Sequence, residues 1–216
     1  GIVGYFHGGW FAAVDDTCKL MQLTMAENPG VPYILFGHSM GGAVAAFALI
    51  EHPEWFSRAV LNAPMIAPIT RPMPRRAAKE MGRLFCLMGK GKERAFVGKP
   101  FDPEREKYET SHMTSRARFD YFQKKRVVRE ELQNCSPTYS WVREAASVTE
   151  PLLHRAQMIR VPVMLCQAIQ DSIVELDAQE RFIKKVSDGS KKSYHARISA
   201  LAKPEKKSKA HDLIAP

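Results

Sequence analysis

Hydrophobic residues are concentrated in three short runs, at residues 31–36, 58–62 and 161–167. Each run is β-rich and apolar on both faces, which is typical of buried strands in a parallel sheet. The run at 31–36 is followed within a few residues by an alanine-rich stretch that ends before Pro53. This pattern predicts a strand that turns almost at once into a helix.

The segments between these runs show helical spacing. One helix is predicted from Val14 to Ala26 and another from Asp177 to Val186. From Pro68 to about Gln157 no convincing strand alternation is present, and the apolar spacing indicates helices around residues 81–88, 119–133 and 139–146. Strands that alternate with helices predict an α/β fold with a mostly parallel sheet and helices on both of its faces.

The first strand ends in Gly37-His38-Ser39-Met40-Gly41, which is the G-x-S-x-G pattern of a nucleophile elbow. We expect the flanking glycines to relieve crowding at a strained turn and Ser39 to project from the carboxyl end of the strand. The N–H of Met40 would open the following helix and serve as an oxyanion donor. The alternative is a glycine-rich turn whose serine only caps the helix.

The stretch "GHSMGG" at 37–42, "NAPM" at 62–65 and the long basic insertion resemble the α/β-hydrolase superfamily, and more narrowly its lysophospholipase and monoacylglycerol lipase branch. The resemblance covers about residues 3–186. It implies the α/β-hydrolase fold with a helical cap over the active site. It also implies a Ser-Asp-His triad in that chain order, an acyl-enzyme intermediate and no cofactor.

The resemblance also divides the chain into segments. We expect core segments at 1–67 and 158–195, a helical cap at 68–157 and a basic, disordered tail at 196–216. Only three strands are predicted, and His7-Gly8-Gly9 lies too close to Ser39 to supply the oxyanion loop of some esterases. The strands that normally precede the elbow, and with them the second oxyanion donor, are therefore expected to be missing from this chain.

Asp171 follows the third strand in "QAIQDSIV" and occupies the position of the triad acid in the family. Its role would be to hold the imidazole tautomer and stabilise the imidazolium; the alternative is an aspartate that caps the following turn. We predict His195 as the general base, although no apolar run precedes it. His211, in a lysine-rich stretch, is the alternative, whereas His38 is expected to shape the turn or the pocket.

Net charge is +9, and residues 71–130 hold 17 Lys and Arg against 8 Asp and Glu, so the excess lies in the predicted cap. Such a basic surface suits an anionic membrane, phosphate or nucleic acid. No nucleic-acid-binding motif is present, so we expect no nucleic-acid partner. A Met- and Phe-bearing cap with a basic rim would contact an acyl chain and an anionic membrane surface, or would simply pack on the core.

The four cysteines show no CxxC spacing, which predicts free thiols in a reducing compartment and no metal site. We therefore expect a protein that is cytoplasmic or peripheral at the inner membrane face. The expected substrate is an ester with one acyl chain, a lysophospholipid or a monoacylglycerol. A short-chain carboxylesterase, a serine aminopeptidase and a catalytically incomplete fragment whose basic cap adheres to membranes are the alternatives, because the fold does not decide the substrate.

Overall fold

The computed structural model of the chain describes residues 8–96, 98–134, 136–189 and 194–198. The strands form one parallel sheet in the order β1-β2-β3-β4, which confirms the predicted mostly parallel sheet. Three of them are the predicted strands, and the fourth was not predicted. The strands are β1 (Ile34–His38), β2 (Arg58–Asn62), β3 (Val163–Ala168) and β4 (Tyr194–Ile198).

The helices of the described part of the chain occupy the stretches where the sequence shows helical spacing. Each of the five predicted helical segments contains a helix, and their ends differ from the prediction by a few residues. The α-helices are α1 (Gly9–Glu27), α2 (Met40–Glu51), α3 (Arg75–Leu87), α4 (Arg116–Val128), α5 (Tyr139–Ser147), α6 (Thr149–Arg155) and α7 (Leu176–Gly189).

The main core lies on one face of the sheet. Alternate strand residues point to this face and are paired across the strands in register, as in the row Gly37, Leu61 and Leu165. Helices α1, α2, α6 and α7 contribute to this core, and α2 is buried along nearly its whole length. Trp10 of α1 is also buried, and its indole N–H donates to the carbonyl of Glu144 at 2.7 Å. The sheet and these helices together hold the carboxyl ends of the strands in place.

The opposite face of the sheet differs from the prediction. The sequence predicts that β1 is buried on both sides, but Ile34 and Phe36 are 62% and 64% exposed. Phe36 is in register with Val60 and Met164, so the exposed side chains form an apolar row. Among the described residues no helix covers this face, and β1 is an edge strand. An apolar run predicts a strand that is buried when helices pack on both faces of the sheet. It does not indicate whether the helices for both faces are present.

The predicted cap contains helices α3, α4 and α5. Helices α3 and α5 pack on each other around a small second cluster that includes Ala78 and Val142. The end of the 68–157 insertion does not belong to this cluster, because Ala145, Leu152 and Ala156 lie in the main core. The last part of the predicted cap therefore packs as part of the hydrolase core.

Strand β4 changes the expected end of the core. It pairs with β3 from Tyr194 to Ile198, in parallel. Residues 196–198 therefore belong to the sheet, so strand pairing continues three residues past the boundary predicted between core and tail at 195/196. The sequence signal was weak because "YHARI" lacks the continuous apolar run of the other strands.

Three of the cysteines fall within the described residues, and all three are free thiols: Cys18, Cys86 and Cys166. This agrees with the prediction for these residues, while Cys135 lies outside the described part. Burial raises the pKa of the Cys18 thiol, and the carboxylates of Glu51 and Asp15 raise it further. A raised pKa keeps this thiol protonated and unreactive at neutral pH.

Candidate active site

Ser39 lies at the turn between β1 and α2 in an unusual backbone conformation. Its φ is 51° and its ψ is −121°, a region that residues with a side chain rarely adopt. The turn is held by its backbone: the Ser39 N–H donates to the carbonyl of Asn62 at 3.0 Å, and the Ser39 carbonyl accepts from the N–H of Met65 at 2.8 Å. The strain is therefore maintained by the neighbouring β2 strand and the loop that follows it.

Glycine is required next to this turn, but not at both predicted positions. A Cβ at Gly37 would lie 2.7 Å from the Cβ of Ala45, so the strand can approach α2 only without a side chain. A Cβ at Gly42 would lie 2.7 Å from the Cβ of Pro64. At Gly41, by contrast, a Cβ would meet no atom within 4 Å. The crowding predicted at Gly41 is thus wrong, and the close approach occurs one residue later.

The hydroxyl of Ser39 does not cap α2, since its side chain accepts no hydrogen bond from the first turn of the helix. This excludes the alternative in which the serine serves only as a helix cap. The Met40 N–H is the first amide of α2, and it has no acceptor among the described residues. A serine hydroxyl beside an unpaired amide at a helix N-terminus is the arrangement that acyl transfer to serine needs.

The loop after β2 forms one wall of this turn. Ala63 has a φ of 43°, and Pro64 packs against Gly42. Gln179, a fully buried residue of α7, donates from Nε2 to the carbonyl of Pro64 at 3.0 Å. Nothing in the sequence indicated this role for Gln179. A glutamine in a helix looks like any other polar helix residue, and its partner Pro64 lies 115 residues away in the chain. Its hydrogen bond couples α7 to the loop that supports Ser39.

Asp171 lies just past the carboxyl end of β3, where its N–H donates to the carbonyl of Ala168. Its Oδ1 atom accepts from the N–H groups of Ile173 at 2.8 Å and Val174 at 3.0 Å. Asp171 therefore caps the turn that follows it, which was the alternative to a catalytic role. The capping occupies only one carboxylate oxygen, so the same residue has a second oxygen with which to orient an imidazole.

The sheet order places Ser39 and Asp171 at the same edge. Ser39 follows β1 and Asp171 follows β3, with β2 between them. Neighbouring strands are about 4.8 Å apart, so the two strand ends are separated by about 10 Å, enough space for an imidazole between their side chains. A described histidine also reaches this region: Nδ1 of His112 lies 2.8 Å from Oγ of Ser172, so the cap loop touches the acid loop.

His195 lies inside β4 rather than on a loop after it. It is in register with Leu165, and through Leu61 with Gly37, two residues before Ser39. Three strand spacings and two residues of rise place its Cα about 16 Å from that of Ser39. This is farther than a serine and a histidine side chain can span, so the register disfavours His195 as the partner of Ser39. His211 lies outside the described residues.

His38 makes the kind of contact expected of it. Its Nδ1 atom lies 3.1 Å from both the carbonyl oxygen and Nδ2 of Asn62, on the neighbouring strand. The ring therefore braces the end of β1 against β2. Within the described residues no group of His, Cys, Asp or Glu side chains could hold a metal ion.

Comparison with known proteins finds a family match and several relatives. The sequence matches the family described as serine aminopeptidase, S33, over residues 4–197. Lysophospholipase L2 of Escherichia coli K12 is 27% identical over 180 residues, which are 78% of this chain and 49% of that protein. Mouse monoglyceride lipase is 38% identical over 53 residues, covering 24% of this chain and 18% of the lipase. The chain thus spans about half the length of the first of these relatives and less of the second.

Solved structures show the same fold. The crystal structure of a monoacylglycerol lipase from Paleococcus ferrophilus matches with a TM-score of 0.62 and 16% sequence identity. The match covers 89% of this chain and 66% of that one. At this identity the likeness concerns the fold alone, and it confirms the predicted α/β-hydrolase architecture.

Proposed function

Because the chain belongs to the serine aminopeptidase S33 family of α/β hydrolases, we propose that it hydrolyses the carboxylic ester of a lipid with a single acyl chain. A lysophospholipid and a monoacylglycerol both fit this description. The relatives named lysophospholipase and monoglyceride lipase support this substrate class. The single observation that carries the proposal is Ser39, whose strained backbone presents an uncapped hydroxyl beside the Met40 N–H, an amide without an acceptor in the described part of the chain.

The reaction proceeds by acyl transfer. The Oγ of Ser39 attacks the ester carbonyl carbon while a histidine takes its proton, and the Met40 N–H stabilises the oxyanion that forms. The histidine returns the proton to the leaving alcohol, and an acyl-serine remains. Water then attacks the acyl-serine with the same histidine as base and releases the fatty acid. Asp171 orients the imidazole through the carboxylate oxygen that does not cap the turn.

The base in this scheme comes from the C-terminal part of the chain. The strand register weighs against His195, and this favours His211, the alternative that the sequence left open. Alanine variants at the two positions separate them by labelling with a fluorophosphonate probe, which reacts with an activated serine. We expect labelling to be lost in His211→Ala and retained in His195→Ala; the opposite result would restore His195 as the base.

A substrate panel tests the proposed function. Lysophosphatidylcholine, a long-chain monoacylglycerol, a short nitrophenyl ester and an amino-acid amide are each offered to the purified chain. We expect hydrolysis of the first two and at least tenfold slower turnover of the others. Preference for the nitrophenyl ester would indicate a short-chain carboxylesterase, and preference for the amide a serine aminopeptidase, as the description of the family suggests. Absence of any turnover would contradict the proposal.

We further propose that the cap contacts an anionic membrane through the end of α3. Leu84, Leu87 and Met88 are 55%, 78% and 58% exposed, and their spacing places them on one face of the helix. Lys90 follows two residues after Met88 and forms no ion pair with a described residue. An exposed apolar patch with a cationic rim suits an anionic bilayer surface. No described helix, α3 included, has both the length and the apolar character needed to cross a membrane.

Replacing Leu87 by glutamine should weaken binding to vesicles that contain phosphatidylserine by about tenfold. A leucine side chain that enters the bilayer contributes about 1.5–3 kcal/mol, and the polar amide removes most of it. Co-sedimentation with vesicles measures the effect. Leu23→Gln on α1 is the matched control, since Leu23 is 58% exposed but lies far from the cap in sequence. Equal losses in both variants would argue against a specific patch on α3.

A further inference from the structure

A cavity of about 580 Å³ borders the candidate active site. One wall is the segment that runs from β2 into the cap, and it includes Thr70, Arg71 and Arg75. The other wall is the loop after β3 and the start of α7, and it includes Asp171 and Glu175. Because Asp171 contributes to this wall, the cavity adjoins the candidate active site on the side of the proposed triad acid.

The two arginines of this cavity differ in their state of pairing. Nη1 of Arg75 lies 3.1 Å from both carboxylate oxygens of Glu175, so its charge is neutralised within the wall. Arg71 is exposed to the cavity and to solvent and forms no ion pair with a described residue. Its guanidinium is therefore free to bind an anion, and a planar guanidinium matches two oxygens of one phosphate.

The carboxylates limit which anion fits. Asp177 also lines the cavity and pairs with Arg181 at 3.1 Å, while one oxygen of Asp171 accepts two backbone N–H groups. Of the carboxylates in the cavity wall, only Asp171 has no ion-pair partner among the described residues, and its charge opposes a second negative charge on the ligand and favours a cation. A phosphodiester that carries its own positive group has only one negative charge and also supplies a cation. A phosphate monoester has two negative charges and no cation, so it fits this cavity less well.

We propose that Arg71 binds the phosphodiester of a zwitterionic glycerophospholipid headgroup and so selects lysophospholipids over monoacylglycerols. This inference rests on the proposed function, because it places the headgroup of the ester substrate. The chain from Met65, which bonds the backbone of Ser39, reaches Arg71 in six residues along the wall of the site. Arg71 also lines the same cavity as Asp171, the proposed triad acid, so a phosphate on Arg71 would lie on the side of the site where that acid stands.

Calorimetric titration tests the site without requiring catalysis. Glycerophosphocholine, glycerol 3-phosphate and inorganic phosphate are titrated into the wild type, Arg71→Gln and Arg76→Gln. Arg76 is the matched control, since it is exposed on α3 and does not line the cavity. We expect glycerophosphocholine to bind most tightly, Arg71→Gln to weaken it at least tenfold and Arg76→Gln to change it less than twofold.

Three titration results would overturn the proposal. They are absence of binding to the wild type, equal losses in both variants, and tighter binding of inorganic phosphate or glycerol 3-phosphate than of glycerophosphocholine. Thermal unfolding of each variant shows whether a loss comes from misfolding. Glycerol serves as the blank ligand without a phosphate.

Hydrolysis then separates this inference from the proposed function. Arg71→Gln should lower kcat/KM for lysophosphatidylcholine about tenfold and leave that for a monoacylglycerol within twofold. Equal decreases for both esters would overturn the headgroup role. If neither ester is hydrolysed but glycerophosphocholine binds in an Arg71-dependent manner, the proposed function fails and the binding site stands.

Discussion

Replacing Ser39 by alanine should abolish covalent labelling by a fluorophosphonate probe and lower kcat for lipid-ester hydrolysis at least roughly 10³-fold. The nucleophilic oxygen is lost, and no described hydroxyl can take its place at the end of β1. The fold should be retained, because the hydroxyl makes no capping bond and alanine tolerates the backbone conformation no worse than serine does. Labelling and steady-state hydrolysis, measured beside a thermal unfolding curve, check both statements.

Two further serine variants sharpen this result. Ser39→Gly should be equally inactive but more stable by about 1 kcal/mol, since glycine relieves the strain of a φ of 51°. Ser57→Ala should label normally, because Ser57 precedes β2 at the opposite edge of the sheet and its hydroxyl only donates to the carbonyl of Tyr33. Full labelling of Ser39→Ala would show that the probe reacts elsewhere and would remove the basis of the proposed mechanism.

Replacing Asp171 by asparagine should lower kcat roughly 10⁴-fold with little loss of stability. The amide oxygen of asparagine can still accept from Ile173 and Val174, so the loop keeps its hydrogen bonds. What disappears is the negative charge of the second oxygen, and an N–H₂ group in its place favours the wrong tautomer of the imidazole. The pH dependence of kcat and the free energy of unfolding, measured together, separate catalysis from turn capping.

The cap provides a matched control for this change. Asp102 also caps a turn, accepting from the N–H of Glu104 at 3.1 Å, and it pairs with Arg105. Asp102→Asn makes the same chemical substitution away from the site and should leave kcat within twofold. If Asp171→Asn behaved in the same way, Asp171 would be a structural residue only.

The sequence by itself determined the elements around the nucleophile. An apolar run, a glycine-flanked serine and an alanine-rich stretch predict a strand, a tight turn and a helix, and β1 and α2 occur there. The strand predicted at 58–62 has the observed bounds of β2. These features are local, because backbone propensity and side-chain periodicity act over a few residues.

Other features were decided only by tertiary structure, because they depend on which segments meet across the fold. The need for glycine at residue 42 comes from Pro64, and the support of the elbow comes from Gln179 on a distant helix. The register of β4 places His195 within the sheet, although no apolar run in the sequence marks a strand there. The ion pair of Arg75, which leaves Arg71 as the cation without an ion pair among the described cavity residues, likewise follows from a contact with Glu175 across 100 residues. Distances of this kind are set by packing, which the order of residues along the chain does not reveal.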